Sequence, residues 1–239
     1  MNIEIWSDIA CPWCYIGKRR LERALAARAD AAEVEILWRS FELDPTAPLS
    51  SEQSLDELLS RKYGMSLERA RQMQEHMAGV AADEGLAFDF GAVQPGNTFD
   101  AHRLLHFARS EGMQDRMKER LLRAYFTDGI RISDPAALAS AAADVGLDGE
   151  EVRELLASDR YADDVRRDQA RAMELGIRGV PFFVFDGQHG VSGAQPPEIF
   201  AEVLAQVFQE RRERELPPEA SAGSRCDDEG CDPVSAPEL

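Results

Sequence analysis

The chain is expected to fold as an α/β protein in two halves, a β-α-β unit at the start and a β-β-α unit at the end, with a large all-helical insertion between them. Three observations predict this. Asn2-Ile3-Glu4-Ile5-Trp6 alternates polar and apolar side chains as a half-buried strand does, and leads within a few residues into a helical stretch. From Pro48 the pattern turns helical and stays so for roughly a hundred residues. Strand character then returns at Val180-Pro181-Phe182-Phe183-Val184-Phe185, followed by one more amphipathic helix.

Tyr15 to Ala29 contains no proline and no β-branched run, and Cys14, Gly17, Leu21, Ala24 and Leu25 share one helical face. Val34-Glu35-Ile36-Leu37-Trp38 is nearly continuous in apolar content, so a central strand is expected. It ends at Asp44-Pro45, and two parallel strands joined by a helix make a β-α-β unit whose crossover is expected to be right-handed. Within the insertion, Ser54 and Glu57 form a capping box. Leu67, Ala70, Met73, Met77, Val80 and Ala81 line one helical face, and Met113, Met117, Leu121 and Tyr125 another. These stripes read as core. Asp134-Pro135 and Asp148 begin later helices, and Gly146 and Gly176 end two. Asp186-Gly187 is a hairpin signal before the short strand Gly190 to Gly193, and Pro197 to Arg214 is the last helix. The expected division is residues 1–46 with 161–215, an inserted domain 47–160, and an acidic tail 216–239 too poor in apolar residues to fold alone, hence mobile.

With 27 basic against 44 acidic residues, the net charge of −17 argues against nucleic acid as a partner. No stretch approaches the ~20 apolar residues that span a bilayer, and the first residues lack a secretory signal, so a cytoplasmic protein is expected. The four cysteines fall in two close pairs, a use that in a reducing compartment points to catalysis or metal binding.

The chemistry is expected at Cys11-Pro12-Trp13-Cys14. Cys11 falls at a helix N-cap with Pro12 at the first helical position, where a missing N–H costs nothing. The unpaired N–H groups of the first turn and the helix dipole favour a thiolate there. Cys14, turned into the packed face, is expected to ionise less readily. Cys11 is therefore the expected nucleophile and Cys14 the resolving thiol. A zinc site completed by Cys226 and Cys231 is the competing reading, but the motif opens an amphipathic helix instead of sitting on a turn. A purely structural disulfide would close almost no loop.

The element order and the C-P-x-C motif resemble the thioredoxin superfamily, and the helical insertion its DsbA-type branch. Ser7-Asp8 with Cys11 to Gly17, Asn97-Thr98 with Ala101-His102-Arg103-Leu104, Gly179-Val180-Pro181-Phe182-Phe183, and Ser192-Gly193-Ala194-Gln195 together resemble FrnE-type oxidoreductases. These are related to 2-hydroxychromene-2-carboxylate isomerases and kappa-class glutathione transferases. The resemblance covers about residues 1–214. It implies a cis Pro181, with Val180 backbone groups facing the sulfurs and pairing with an extended substrate. Asp8 then either relays protons to Cys14 or stands solvated. Asn97, His102 and Arg103 either line the groove over the cysteines or lie on an exposed helical face. Pro12 and Trp13 tune the redox potential.

The implied activity is thiol–disulfide exchange with protein or small-molecule disulfides and dithiols. No bound cofactor is expected, with glutathione as a conceivable thiol co-substrate. The glutathione-dependent isomerases and transferases are the alternative, although they typically carry serine in place of Cys11; a zinc-binding peptide-holding module is a third. In the tail, six acids stand against Arg225, and the carboxylates beside Cys226 and Cys231 disfavour thiolates there. Such a pair is expected to pass electrons to an oxidised Cys11–Cys14 disulfide. The sequence leaves the oligomeric state open.

Overall fold

A computed structural model describes residues 1–51 and 53–215; the tail, with Cys226 and Cys231, lies outside them. Strand β1 (Asn2–Ser7) leads into α1 (Pro12–Ala26) and β2 (Glu35–Ser40). Seven helices follow: α2 (Leu55–Tyr63), α3 (Leu67–Asp83), α4 (Phe99–Ser110), α5 (Gln114–Phe126), α6 (Pro135–Asp144), α7 (Gly149–Leu156) and α8 (Ala162–Glu174). Strands β3 (Phe182–Phe185) and β4 (His189–Ser192) and helix α9 (Pro197–Glu215) complete the described chain. The sheet order is β2-β1-β3-β4, with β1 parallel to β2 and antiparallel to β3, and β4 antiparallel to β3.

Register explains the core. Ile3 pairs with Phe185 and Ile5 with Phe183, so these four side chains share one sheet face. Leu21 and Ala24 of α1 and Phe200, Leu204, Val207 and Phe208 of α9 cover it. On the opposite face Trp6 and Val184 pack with Ala172 and Ile177, in and just beyond α8. A further core fills the inserted helices and continues into the start of α1 through Ile9, Tyr15 and Ile16. The first turn of α1 is thus the joint between the helical block and the sheet. Among the described residues no helix is long and apolar enough to cross a membrane.

Local signals act as their chemistry requires. Ser54 and Glu57 make a complete capping box, and Asp134 and Asp148 accept first-turn N–H groups. One expectation is corrected: β2 is an edge strand. Ile36 and Trp38 pack into the core on one face, while Leu37 on the other lines the hollow at the far end of the sheet. The free edge of β2 is closed by side chains, since Gln114 of α5 accepts from the Trp38 N–H (3.0 Å) and donates to its carbonyl (3.0 Å). Asp168 of α8 accepts from the Ser40 N–H at 2.9 Å. The helical block thereby supplies the hydrogen bonds that another strand would give.

Candidate active site

The sulfurs sit where β1 ends and α1 begins. Cys11 is the N-cap with extended backbone (φ −99°, ψ 111°), Pro12 follows at the first helical position, and the Cys14 N–H bonds to the Cys11 carbonyl at 3.0 Å. Both cysteines are free thiols, Cys11 4% and Cys14 1% exposed. The Val180–Pro181 peptide bond is cis, and the Cys11 thiol donates to the Val180 carbonyl at 3.5 Å. Gly17, on the turn after Cys14, lets α1 approach this loop: a Cβ there would stand 3.1 Å from Pro181 Cγ.

Cys11 makes no side-chain cap bond to the first turn, and its sulfur lies 3.5 Å from the Val180 carbonyl oxygen. The hydrogen bond between Cys11 and Cys14, and then burial, hold the Cys11 thiol well above the ordinary range, with the negative charge of Asp8 adding to this. Burial also opposes a Cys14 thiolate. The hydrogen bond from Cys11, the positive charge of Lys118, the Ser7 hydroxyl and the Asp8 backbone outweigh it and bring Cys14 below its usual value. The two thiols lie within hydrogen-bonding reach of each other, so the first proton is lost from the pair as a unit. The N-cap position leaves the Cys11 side chain without a bond from the first turn.

Access distinguishes the two sulfurs. A cavity of about 330 Å³ is lined by Cys11, Pro12, Trp13 and Val180 on one side and by Leu55, Leu59, Met73, Met77, Phe90 and Tyr125 among others on the opposite side. Cys14 is not among its lining residues. Trp13 (39% exposed), Leu43 and Tyr63 are partly open large hydrophobics that line the same cavity. A second hollow of about 520 Å³ shares Ala10, Leu43, Leu55, Leu59, Lys62 and Tyr125 with it. Another hollow, of about 630 Å³, lies at the far end of the sheet among Asn2, Arg39, Asp186 and Arg211, remote from the sulfurs.

A strand-to-helix CPWC facing a cis proline beside an apolar cavity narrows the choice, and residues 2–205 match the model of the DSBA-like thioredoxin domain. The chain belongs to the DsbA-like thioredoxin family. It is accordingly an enzyme of the thiol–disulfide oxidoreductase type. It is similar to the probable DsbA oxidoreductase SCO1869 of Streptomyces coelicolor, at 44% identity with a TM-score of 0.85, over 98% of this chain and 100% of that one. It is 28% identical over 207 residues to the protein YwbO of Bacillus subtilis strain 168, covering 86% of this chain and 96% of YwbO. The cytosolic disulfide reductase DsbM of Pseudomonas aeruginosa shares the fold at 20% identity, with a TM-score of 0.60 over 87% of this chain and 100% of that one.

Within this DsbA-like site several of the expected roles change. Asp8 is buried, not solvated. It accepts from the Ile9 N–H (2.7 Å), the Leu43 N–H (2.8 Å) and His102 Nε2 (3.2 Å). Burial alone would raise its carboxyl, but the His102 hydrogen bond and charge and the Leu43 N–H hold it below the usual value. His102 is fully buried on α4 and points at Asp8, so neither the groove nor an exposed face describes it. Arg103, 4% exposed, reaches the carbonyls of Arg160 (2.9 Å), Leu155 (2.7 Å) and Ser158, and ties α4 to the end of α7. Asn97 accepts from the Phe99 N–H at 2.8 Å and donates to the Ala47 carbonyl at 3.1 Å, starting α4 and anchoring the loop after β2. Neither Asn97 nor Arg103 lines the cavity at Cys11. Polar side chains here serve buried backbone groups.

One residue escaped the sequence reading. Lys118 of α5 is fully buried, and its Nζ has no hydrogen-bond partner among the described residues. It lies 5.3 Å from the centre of the Trp38 ring. The indole N–H of Trp38 is held by Asp115 at 2.9 Å. Desolvation pulls the Lys118 ammonium down to about 8, while Cys14, Asp8 and Cys11 support its charge. The available signal was its spacing, since Gln114, Lys118 and Tyr125 share the inward stripe of α5 with Leu121.

Proposed function

We propose that the protein exchanges disulfides through Cys11 and Cys14, with Cys11 as the attacking sulfur. The observation that carries this reading is that Cys11 alone of the pair lines the cavity, with the Val180 carbonyl of the cis-proline loop beside its sulfur. A substrate disulfide enters beside Trp13. The proton of Cys11 passes to Cys14, and the Cys11 thiolate attacks one substrate sulfur; that S–S bond breaks, and the departing thiolate takes a proton from water. Cys14 then gives its proton to solvent and attacks Cys11, forming the Cys11–Cys14 disulfide and releasing the second substrate thiolate. Two electrons pass from enzyme to substrate, and the reverse sequence oxidises a dithiol. Asp8, held ionised by His102, keeps a negative charge behind the pair, while Pro12, Trp13 and Pro181 shape the path to the sulfur.

The substrates are protein or small-molecule disulfides and dithiols, and glutathione is the proposed small thiol. Support comes from the mixed lining of the cavity, whose apolar floor is bordered by Lys62 and Gln74. A cytoplasmic site of action and membership of the FrnE-type branch complete the proposal. So does a relay in which Cys226 and Cys231 return electrons to the oxidised pair. Insulin reduction and refolding of reduced ribonuclease, assayed with wild type and Cys11→Ser, test the reading. Activity should vanish in the variant; retention of either activity at the wild-type level overturns it.

A further inference from the structure

We propose that Lys118 is a positioning residue for this exchange: the helical insertion places its ammonium behind the cysteine pair, where its charge stabilises the reduced state and makes the disulfide more oxidising. The inference rests on the proposed CPWC chemistry. Lys118 is a fully buried ammonium without a hydrogen bond among the described residues, which is costly unless nearby negative charge compensates it. The groups whose charge reaches it are the sulfurs of Cys14 and Cys11, the Asp8 carboxylate at the end of β1, and the like charge of Lys18 on α1. β2 presents only the uncharged ring of Trp38, and from α4 His102 is bonded to Asp8.

The charge count then couples Lys118 to the redox state. A thiolate formed by the dithiol, on either sulfur, is a negative charge that Lys118 faces together with Asp8. Forming the Cys11–Cys14 disulfide removes that negative charge, and the ammonium keeps Asp8 alone as counter-charge. A group that binds one state of an equilibrium better than the other shifts it, and the effect is reciprocal. Lys118 therefore favours the dithiol, and oxidation in turn loosens the Lys118 proton. The device belongs to the inserted helices, so the insertion sets the redox poise as well as shaping the cavity.

The test compares wild type with Lys118→Met and Lys118→Gln. Equilibration against glutathione redox buffers should show the dithiol–disulfide constant moved at least tenfold toward the disulfide in both variants, about 30 mV. Thiolate absorbance near 240 nm should rise about one pH unit later. Urea unfolding should show the loss in the reduced form only. A constant within twofold of wild type, or an equal change in both redox forms, means that Lys118 is merely structural and overturns the proposal. A measurement on wild type alone guards against variants that fail to fold. The Lys118 Nζ signal, followed by NMR with labelled lysine, should titrate at higher pH in the reduced than in the oxidised protein; identical titrations overturn the proposal. Should Cys11→Ser retain activity, the underlying reading fails instead, and the two outcomes are distinct.

Discussion

Pro181 occupies the space that a side chain on Gly17 would fill: its Cγ lies 3.1 Å from the position of a Cβ there, and Phe183 Cζ lies 3.2 Å away. This contact lets the first helix press against the cis-proline loop and brings Cys11 to the Val180 carbonyl, 169 residues further along the chain. Gly17→Val should cost about 1–3 kcal/mol through overpacking and slow insulin reduction by displacing the loop. Urea denaturation and the turbidity assay together check this. Wild-type rate and stability in the variant would show that the close approach is not required.

Asp8 holds two backbone N–H groups and one histidine nitrogen in a buried site. Asp8→Asn keeps the shape but loses the charge, and is expected to cost about 2–4 kcal/mol. The sign with pH follows from the depressed carboxyl. Its stabilisation is fully present above the unfolded value of about 3.9 and is lost as pH falls through the lower folded value. The gap between wild type and Asp8→Asn should therefore be constant near neutrality and shrink below about pH 4. The same variant removes a charge that raises Cys11, so thiol ionisation should begin at lower pH. Acid unfolding curves and thiolate absorbance test the two parts separately.

Arg103 spends its guanidinium on three carbonyls around the end of α7 and on Asp100 at 2.8 Å. Arg103→Met should lower stability by about 2–4 kcal/mol, because these buried acceptors lose their donors. KM for a small disulfide should be unchanged in the folded fraction. A raised KM with intact stability would restore the substrate-binding role that the resemblance suggested.

What the sequence made legible follows a pattern. Alternation in Ile3 and Ile5, the proline after Cys11 and the Asp186-Gly187 turn each express a local rule, and each stands where that rule puts it. The resemblance carried the loop at Val180 and Pro181, which no periodicity could have assigned. The edge position of β2 was hidden because Gln114 and Asp168, distant in sequence, hydrogen-bond to its open side. Asn97, His102 and Arg103 read as surface or ligand residues because polarity shows that a side chain needs partners without saying which. Lys118 was masked by the same ambiguity, a polar residue on an apolar stripe. The contact of Cys11 with the Val180 carbonyl joins residues 169 apart in the chain, which spacing alone does not determine.

The relay is bounded by the end of α9. Arg211 and Glu210 lie beside Asp186 and His189 at the hairpin tip, so the helix ends away from the sulfurs after a run of about 28 Å. The chain from Glu215 to Cys226 spans at most roughly 40 Å when extended. If the relay runs within one chain, the tail must turn back along the molecule within that reach. Cys226→Ser with Cys231→Ser should then slow multiple turnover at least several-fold while sparing the first turnover. Shortening residues 217–224 by half should have the same effect. Unchanged steady-state turnover in both variants would exclude the tail from catalysis.

The central claim is that substrate meets Cys11 while Cys14 waits behind it. Trapping tests it most directly: Cys14→Ser and Cys11→Ser proteins are each incubated with a mixed small-molecule disulfide, and the adducts are mapped by mass spectrometry. The account predicts a stable mixed disulfide on Cys11 in the first protein and little or none on Cys14 in the second. Equal or preferential adduct formation on Cys14 would contradict it.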